Sequence, residues 1–362
     1  MKRGPARRLA RAALAGLERL LLPGDGPFAW SPTFVQGAPR SGTTLVYQAI
    51  VARWRCSFFS NRERACAPYP LLAARLGRAA ARFEPTFDSE FGAIRGRDAP
   101  SDGWEVFHRF FPYRFDPATP LVRPAVLRRT VLAFERLYGA PFAVKNNANS
   151  LRLVELGRVF PEAVFVTVRR DPLATVASLL RARAAHDVAP DRFWAAEIDD
   201  SLVDIELRDA VERSVYQTLF VDAFVTAVAA ERPAAHLLLR FEDFVADPEG
   251  CLAAIAARRD ARGLPAWPER RPAADLRAAV RRPAPDVDPW LCRRIAAAER
   301  RVRDAAARDA WQAFDRIRDP DRHASGPAVR YARPTTTSGF GREVRILRGP
   351  AAVSADGRLE GH

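Results

Sequence analysis

Residues 37–44 have the types and spacing needed to bind a phosphate or sulfate group. Gly37 and Gly42 are separated by four residues, which is the spacing of a P-loop, but Thr43 occupies the position of the lysine found in nucleoside triphosphatases. Glycines let backbone amides turn toward an anion, and a helix that begins near Gly42 presents free N–H groups and its positive dipole end. The cation of this loop is Arg40. We predict that these residues bind an anion together with Pro39, Ser41 and Thr44.

A second arginine, Arg170, follows the apolar run 164–168. Asp171 and Pro172 come next and suit the cap and the first turn of a helix. Ser178 lies eight residues after Arg170, about two turns along that helix. We predict that Arg170 and Ser178 form a second anion site, because two such sites on neighbouring strand ends suit a nucleotide with phosphate at both ends. The alternative is an Arg–Asp pair that only caps the helix.

Lys145 is the third cation of interest. The chain contains 57 lysine and arginine residues, of which only Lys2 and Lys145 are lysine. Lys145 follows a predicted strand, and its compact ammonium differs chemically from a guanidinium fork. We predict that Lys145 faces an anion, and the alternative is a surface lysine at a strand end.

Alternating elements place these residues on one sheet. Apolar runs predict strands at 33–36, 56–59, 142–144, 164–168 and 237–241. Residue patterns between them predict helices at 43–54, 150–159, 172–185 and 248–257. This order predicts an α/β fold with a P-loop-like doubly wound parallel sheet flanked by helices. We predict one domain over 31–345 with helical insertions at about 60–141 and 186–212, preceded by a helix and linker (1–30) and followed by a tail (346–362).

Three segments, in this order, resemble those of a known enzyme family. Residues 39–44, Pro-Arg-Ser-Gly-Thr-Thr, resemble the 5′-phosphosulfate loop of the sulfotransferases that use 3′-phosphoadenosine 5′-phosphosulfate (PAPS). Arg170 with Ser178 resembles their 3′-phosphate motif, and residues 240–248 resemble the strand-to-helix segment that follows. The resemblance covers about residues 33–260 and is closest to the bacterial type, because the loop contains arginine where the cytosolic animal enzymes have lysine.

The resemblance implies a reaction. PAPS would donate its sulfuryl group to a hydroxyl of a carbohydrate, lipid or natural product by in-line displacement, leaving adenosine 3′,5′-bisphosphate. Charge builds on the bridging oxygen of the leaving phosphate, where a fixed cation lowers the barrier. Arg40 and Lys145 are the expected cations. Because the sulfate donor is already activated, no metal is expected.

The sequence leaves open which residue removes the acceptor proton. The cytosolic animal enzymes place a histidine two residues after a lysine, whereas Asn147 has that spacing from Lys145. A general base must reach the hydroxyl and be unprotonated. The candidates are a glutamate in a region where other branches of the family have one, and two residues of the aromatic segment 102–111: Glu63, Glu105 and His108. Each is alternatively a solvated surface group.

Composition limits the partners and the compartment. A net charge of +14 favours anionic ligands, but no alternation of aromatic and basic residues and no helix-turn-helix pattern supports nucleic acid as the partner. The four cysteines lack metal-binding spacing, and neither a secretory signal nor a membrane-spanning run is evident. We therefore predict a cytoplasmic protein with reduced thiols. The sequence indicates neither the acceptor nor the oligomeric state.

The two ends of the chain are less specific. Residues 7–22 carry leucines on one side and arginines on the other, which predicts an amphipathic helix. Such a helix more often packs on its own domain, and the alternative is peripheral membrane contact. Residues 335–342, rich in hydroxyls and glycine, resemble a late segment that folds over the nucleotide in some sulfotransferases, and a flexible tail explains them equally.

Two other functions compete with sulfuryl transfer. A P-loop kinase acting on a small molecule would share the loop, but it needs a basic residue beside the helix start and a carboxylate for magnesium. A non-catalytic nucleotide-binding protein would retain the loop and tolerate the loss of any general base. We predict a PAPS-dependent sulfotransferase.

Overall fold

The computed structural model describes residues 5–77, 83–270, 276–280 and 287–319, and of residues 5–8 only the helical backbone. Its strands form one parallel sheet in the order β2-β1-β3-β4. Phe34 of the central strand β1 is paired with Val144 on one side and Phe165 on the other. The strand ranges are Thr33–Gln36 (β1), Ala143–Lys145 (β2), Val164–Arg169 (β3) and His236–Arg240 (β4).

Helices precede, separate and follow these strands. In chain order they are α1 Pro5–Leu20, α2 Thr43–Arg53, α3 Asn61–Ala65, α4 Pro70–Gly77, α5 Trp104–Phe107, α6 Pro124–Tyr138, α7 Leu153–Val159, α8 Pro172–Ala185, α9 Ala210–Glu231, α10 Phe241–Ala246, α11 Pro248–Asp260, α12 Leu276–Val280 and α13 Pro289–Arg318. Short 3-10 turns occupy Ala148–Arg152 and Asp200–Leu202. Among the described helices, none is both long enough and apolar enough to cross a membrane.

Both faces of the sheet are buried, as expected for parallel strands. Side chains alternate between the faces, so Phe34 stacks on Phe165 on one side while Val35 and Val166 point to the other. The first face packs against α6, α7, α8, α9 and α13, and the second packs against α2, α10 and α11. The predicted doubly wound parallel α/β fold is therefore confirmed.

The strand order fixes the place of the site. The chain runs from β1 to β2 on one side and then crosses to β3 on the other side of β1, so the order reverses at β1. In open α/β sheets the crevice beyond such a reversal is where ligands bind. The loop after β1, the end of β2 at Lys145 and the end of β3 at Arg169 all lie at this edge.

The structure differs from the sequence prediction at two elements. Residues 56–59 do not form a strand, because only Ser57 bridges to Phe142 before Ser60 caps α3 and turns the chain away. The predicted helix 150–159 begins instead as the 3-10 turn Ala148–Arg152 and becomes α-helical at Leu153. The predicted tail 346–362 and the segment 335–342 lie outside the described residues.

Candidate active site

A cavity of about 1090 Å³ opens at the carboxyl ends of β1, β2 and β3. The phosphate loop lines it through Pro39, Arg40, Gly42, Thr43 and Thr44. Lys145 and Asn147 line it from the end of β2, and Arg170 lines it from the end of β3. The three cations singled out in the sequence therefore face one cavity.

The backbone conformation of the phosphate loop depends on two glycines. Gly37 has φ +152° and Gly42 has φ +97°, in the region that favours glycine. A Cβ at Gly37 would overlap the carbonyl oxygen of Val168, and a Cβ at Gly42 would overlap the ring of Phe241. Neither position has room for a larger residue unless its neighbours move.

Direct hydrogen bonds join the two predicted anion sites. Arg40 Nε donates to Ser178 Oγ at 3.2 Å, and Arg170 Nη1 donates to the carbonyl oxygen of Arg40 at 3.3 Å. Ser178 does not itself line the large cavity and contacts the site through Arg40. Gly37 and Ser41 line a smaller cavity of about 90 Å³ behind the loop, which Arg170 also borders. The two sites thus form one continuous surface.

The arginines of this surface lie close to one another, and their positive charges affect each other's pKa values. Burial, followed by the charges of Arg170 and Arg181, lowers the pKa of Arg40 to about 10. Burial also lowers the pKa of Arg170, although Glu242 and Asp171 oppose that shift. Cations held together against burial and mutual repulsion create a strong field for an anion.

Lys145 completes the cluster of cations. Its side chain is nearly buried, and burial lowers its pKa, while Asp102 raises it and Arg40 lowers it further. A Cβ added to Gly92 would lie 3.6 Å from Lys145 Nζ, 3.7 Å from Arg40 Nη1 and 3.5 Å from Thr44 Oγ1. The Thr44 hydroxyl donates to the Gly92 carbonyl at 3.4 Å, so two cations and this hydroxyl lie together beneath Gly92.

Asn147 supports the phosphate loop from behind. Its Nδ2 donates to the carbonyl oxygens of Gly37 at 2.8 Å and Ala38 at 3.2 Å. Ser150 Oγ accepts from the Gly37 N–H at 2.9 Å and donates to the Gly37 carbonyl at 3.0 Å. The sequence had singled out Asn147 only as the residue at the spacing of a missing histidine. It gave no signal for Ser150, because a lone serine at a turn carries no pattern.

None of the three predicted general bases is among the described residues that line the cavity, although Glu105 is paired with Arg64, which does line it. Glu63 is buried in the capping box of α3, where it accepts from the Ser60 N–H and where burial raises its pKa. Glu105 forms an ion pair with Arg64 at 2.8 Å. His108 stacks on Tyr113, and burial lowers its pKa to about 4.

Other carboxylates do line the cavity, namely Asp88, Glu90 and Asp102. Asp88 and Glu90 are exposed, and Glu90 is paired with Arg95. Asp102 is half-buried, its Oδ1 accepts from the Trp104 N–H at 3.2 Å, and its carbonyl accepts from Asn146 Nδ2 at 3.0 Å. The sequence gives no signal that singles out Asp102, because an aspartate before a short helix is commonly a cap.

Aromatic side chains from both insertions also line the cavity. Phe91 lies edge-on to His186 at 5.4 Å, and His186 stacks on Trp194 at 5.3 Å. The Arg40 guanidinium lies 5.7 Å from the Phe91 ring centre. Phe91 comes from the first predicted insertion, and the other two come from the second. Both insertions therefore contribute to the cavity.

Comparison with known proteins identifies the family of the chain. A family model described as "Sulfotransferase family" matches residues 32–269. No curated protein matches the chain. Among solved structures, sulfotransferase STF9 from Mycobacterium avium matches with 17% identity over 76% of this chain and 72% of its own, with a TM-score of 0.46. The sulfotransferase domain of the Synechococcus PCC 7002 olefin synthase matches with 14% identity over 82% and 97%, with a TM-score of 0.38.

The match to the family model spans the loop after β1, the end of β2, the Arg170 turn and α10. It therefore includes the elements that form the cavity, with the exception of α12, whose Ala279 also lines it. The chain belongs to the sulfotransferase family.

Proposed function

We propose that this chain transfers the sulfuryl group of PAPS to a hydroxyl of a carbohydrate, lipid or natural product. One observation carries the proposal: the hydrogen bonds of Arg40 with Ser178 and of Arg170 with Arg40 join the two predicted anion sites, and both arginines face one cavity. A donor with phosphate at both ends matches that pair of sites. PAPS has a 5′-phosphosulfate and a 3′-phosphate.

The residues of the site fit such a donor. Gly37 and Gly42 let the loop turn tightly against Val168 and Phe241, so that the backbone amides at the start of α2 can approach a phosphate. Ser41 Oγ is buried and lacks a hydrogen-bond partner among the described residues. We assign the 5′-phosphosulfate to the loop, with Arg40, Thr43 and Thr44, and the 3′-phosphate to Arg170 and Ser178.

Arg40 and Lys145 would stabilise the transition state. As the bond from sulfur to the bridging oxygen breaks, negative charge develops on the leaving phosphate, and fixed cations at that point lower the barrier. Burial makes their field stronger than it would be in water. Burial is the main cause of the lowered pKa values of Arg40 and Lys145, and repulsion from neighbouring arginines adds to it. A bound polyanion would offset that repulsion.

We assign the general base to Asp102. It lines the cavity and raises the pKa of Lys145, so its carboxylate acts on the same cluster of charges. The acceptor hydroxyl would lose its proton to Asp102 as its oxygen bonds to sulfur. Glu63, Glu105 and His108 are the alternatives, and we favour Asp102 because none of those three is among the described residues that line the cavity.

The acceptor and the compartment follow from weaker observations. Phe91, His186 and Trp194 would offer flat apolar surfaces to an acceptor, such as a sugar ring or a hydrocarbon. The four cysteines are free thiols in the structure, which suits the reducing cytoplasm. We therefore propose a cytoplasmic reaction on a hydroxyl-bearing molecule.

Calorimetry separates this proposal from its rivals. We expect adenosine 3′,5′-bisphosphate to bind without magnesium, and ATP to bind weakly whether or not magnesium is present. Binding of ATP that depends on magnesium, with no binding of the bisphosphate, would instead favour a kinase. Single-turnover transfer from labelled PAPS to a mixture of acceptors then separates an enzyme from a non-catalytic binder.

A further inference from the structure

The helix α1 is attached to the domain through its polar side. Glu18 is 5% exposed, and its carboxylate accepts from the backbone N–H groups of Leu71 at 2.9 Å and Leu72 at 3.0 Å, in the first turn of α4. Tyr69 also donates its hydroxyl to the carbonyl oxygen of Arg11 at 3.2 Å. Amphipathic helices of globular domains usually pack in the opposite orientation, with the apolar side inward.

The apolar side of α1 therefore points away from the domain. Leu9 is 72% exposed, Leu17 is 50% exposed and Leu20 is 81% exposed. These three leucines lie within about one quarter of the helix circumference, at 100° per residue. A contiguous exposed apolar stripe of this kind marks an interaction surface.

The charges around the stripe indicate what it contacts. Arg11, Arg19 and Arg75 are exposed on α1 and α4. Residues 1–22 contain six basic residues and one acidic residue, Glu18, whose carboxylate is already bound to α4. No free carboxylate in this segment opposes the approach of an anionic surface.

From this we infer that the face formed by Leu9, Leu17 and Leu20 docks α1 on an anionic lipid bilayer, parallel to its surface. The leucines would enter the acyl boundary while the arginines contact lipid phosphates, which is the arrangement of an interfacial helix. At 16 residues, α1 is too short to span a bilayer. This inference does not rest on the proposed enzymatic function.

Two other occupants fit the surface less well. A second copy of the chain would place the same arginines of two α1 helices against each other, because a symmetric contact is self-complementary. Residues 320–362 contain seven arginines and four acidic residues, so their net charge is also positive. An anionic bilayer supplies both the apolar phase and the opposite charge.

Vesicle co-sedimentation tests the inference with the full chain. We expect binding to vesicles containing phosphatidylglycerol, little binding to pure phosphatidylcholine, and weaker binding as salt rises. The double variant Leu17→Gln/Leu20→Gln, which leaves the charge unchanged, should bind about a hundredfold more weakly. Replacing Arg19, which flanks the leucine stripe, with Gln should weaken binding about fivefold.

A control variant tests whether any exposed apolar residue changed to Gln would weaken vesicle binding. Val122 is 50% exposed, like Leu17, and lies two residues before α6, so Val122→Gln should bind vesicles as the unaltered chain does. Circular dichroism and single-turnover activity on a water-soluble acceptor check that each variant is folded. Absence of vesicle binding, or equal binding by the leucine variant, overturns the inference. So does a dimer in sedimentation velocity that the leucine substitutions dissociate in the absence of lipid.

Discussion

The two walls of the cavity are built from different parts of the fold. What we propose to be the donor wall consists of the carboxyl ends of β1, β2 and β3, where Lys145 ends β2, Arg170 follows β3 directly and Arg40 lies in the loop after β1. The acceptor wall consists of loops within the two insertions, and Phe87 and Phe91 in the first of them have positive φ angles. In our proposal the sheet edge binds the donor, which is the same in every turnover, and the loops bind the acceptor, because loops can diverge without altering the sheet.

The proposed general base, Asp102, tests whether the acceptor wall takes part in the proton transfer as well as in binding. Asp102→Asn keeps the size of the side chain and its capping acceptor but cannot take a proton. We expect turnover to fall by about a hundredfold to ten-thousandfold, the usual contribution of a positioned acid or base. Single-turnover transfer at saturating donor measures this. Glu105→Gln is the control, and a larger loss there than in Asp102→Asn would return the assignment to Glu105.

Arg40 tests the donor wall. Arg40→Ala should lower turnover by about a hundredfold, because it removes a cation from the leaving phosphate. Affinity for adenosine 3′,5′-bisphosphate should fall less than turnover does. Arg181 also lines the cavity, so Arg181→Ala is a matched control with a smaller expected loss. An unchanged turnover rate in Arg40→Ala removes Arg40 from the mechanism.

The pKa of Lys145 depends on charges from both walls. Burial lowers it, Asp102 of the acceptor wall raises it, and Arg40 of the donor wall lowers it further. If the ammonium form is the active one, activity is lost as pH rises through that pKa. Arg40→Ala should then move the alkaline limb of the residual activity to higher pH, and Asp102→Asn should move it to lower pH. Shifts in the same direction in both variants would contradict the placement of Lys145 between these charges.

Asn147 tests the support of the loop rather than the reaction itself. Asn147→Ala removes the hydrogen bonds to the Gly37 and Ala38 carbonyls, and we expect about a tenfold loss of affinity for the bisphosphate. Asn147→Asp, which cannot donate these bonds, should be at least as weak. If Asn147 were instead a catalytic group, turnover would fall while affinity stayed the same.

Trp194 gives the smallest expected effect and belongs to the acceptor wall. Trp194→Ala should raise the KM for the acceptor severalfold and leave affinity for the bisphosphate unchanged, because its ring stacks on His186 rather than on the loop. Steady-state kinetics at varied acceptor measures the first quantity, and calorimetry measures the second. An equal loss of nucleotide affinity in Trp194→Ala would contradict the proposal that the two walls bind different ligands.

Sequence reasoning was more informative about the donor wall than about the acceptor wall, for a physical reason. Arg40 and Arg170 are readable because the glycine spacing and the Asp-Pro helix start are local signals next to buried strands. Asp102 and Trp194 reach the cavity through loops, whose path depends on tertiary contacts that leave no period in the sequence. The sequence was also ambiguous at Glu63, because a glutamate three residues after a serine is the pattern of a helix capping box. The structure contains that capping box, formed by Ser60 and Glu63.

The central claim is that one nucleotide is held at both ends by two joined sites. Calorimetry of Arg170→Ala with adenosine 3′,5′-bisphosphate and with adenosine 5′-monophosphate, which lacks the 3′-phosphate, tests it most directly. We expect the variant to lose about tenfold to a hundredfold in affinity for the bisphosphate and little for the monophosphate. Equal losses for both nucleotides would show that Arg170 does not bind the 3′-phosphate and would contradict the claim.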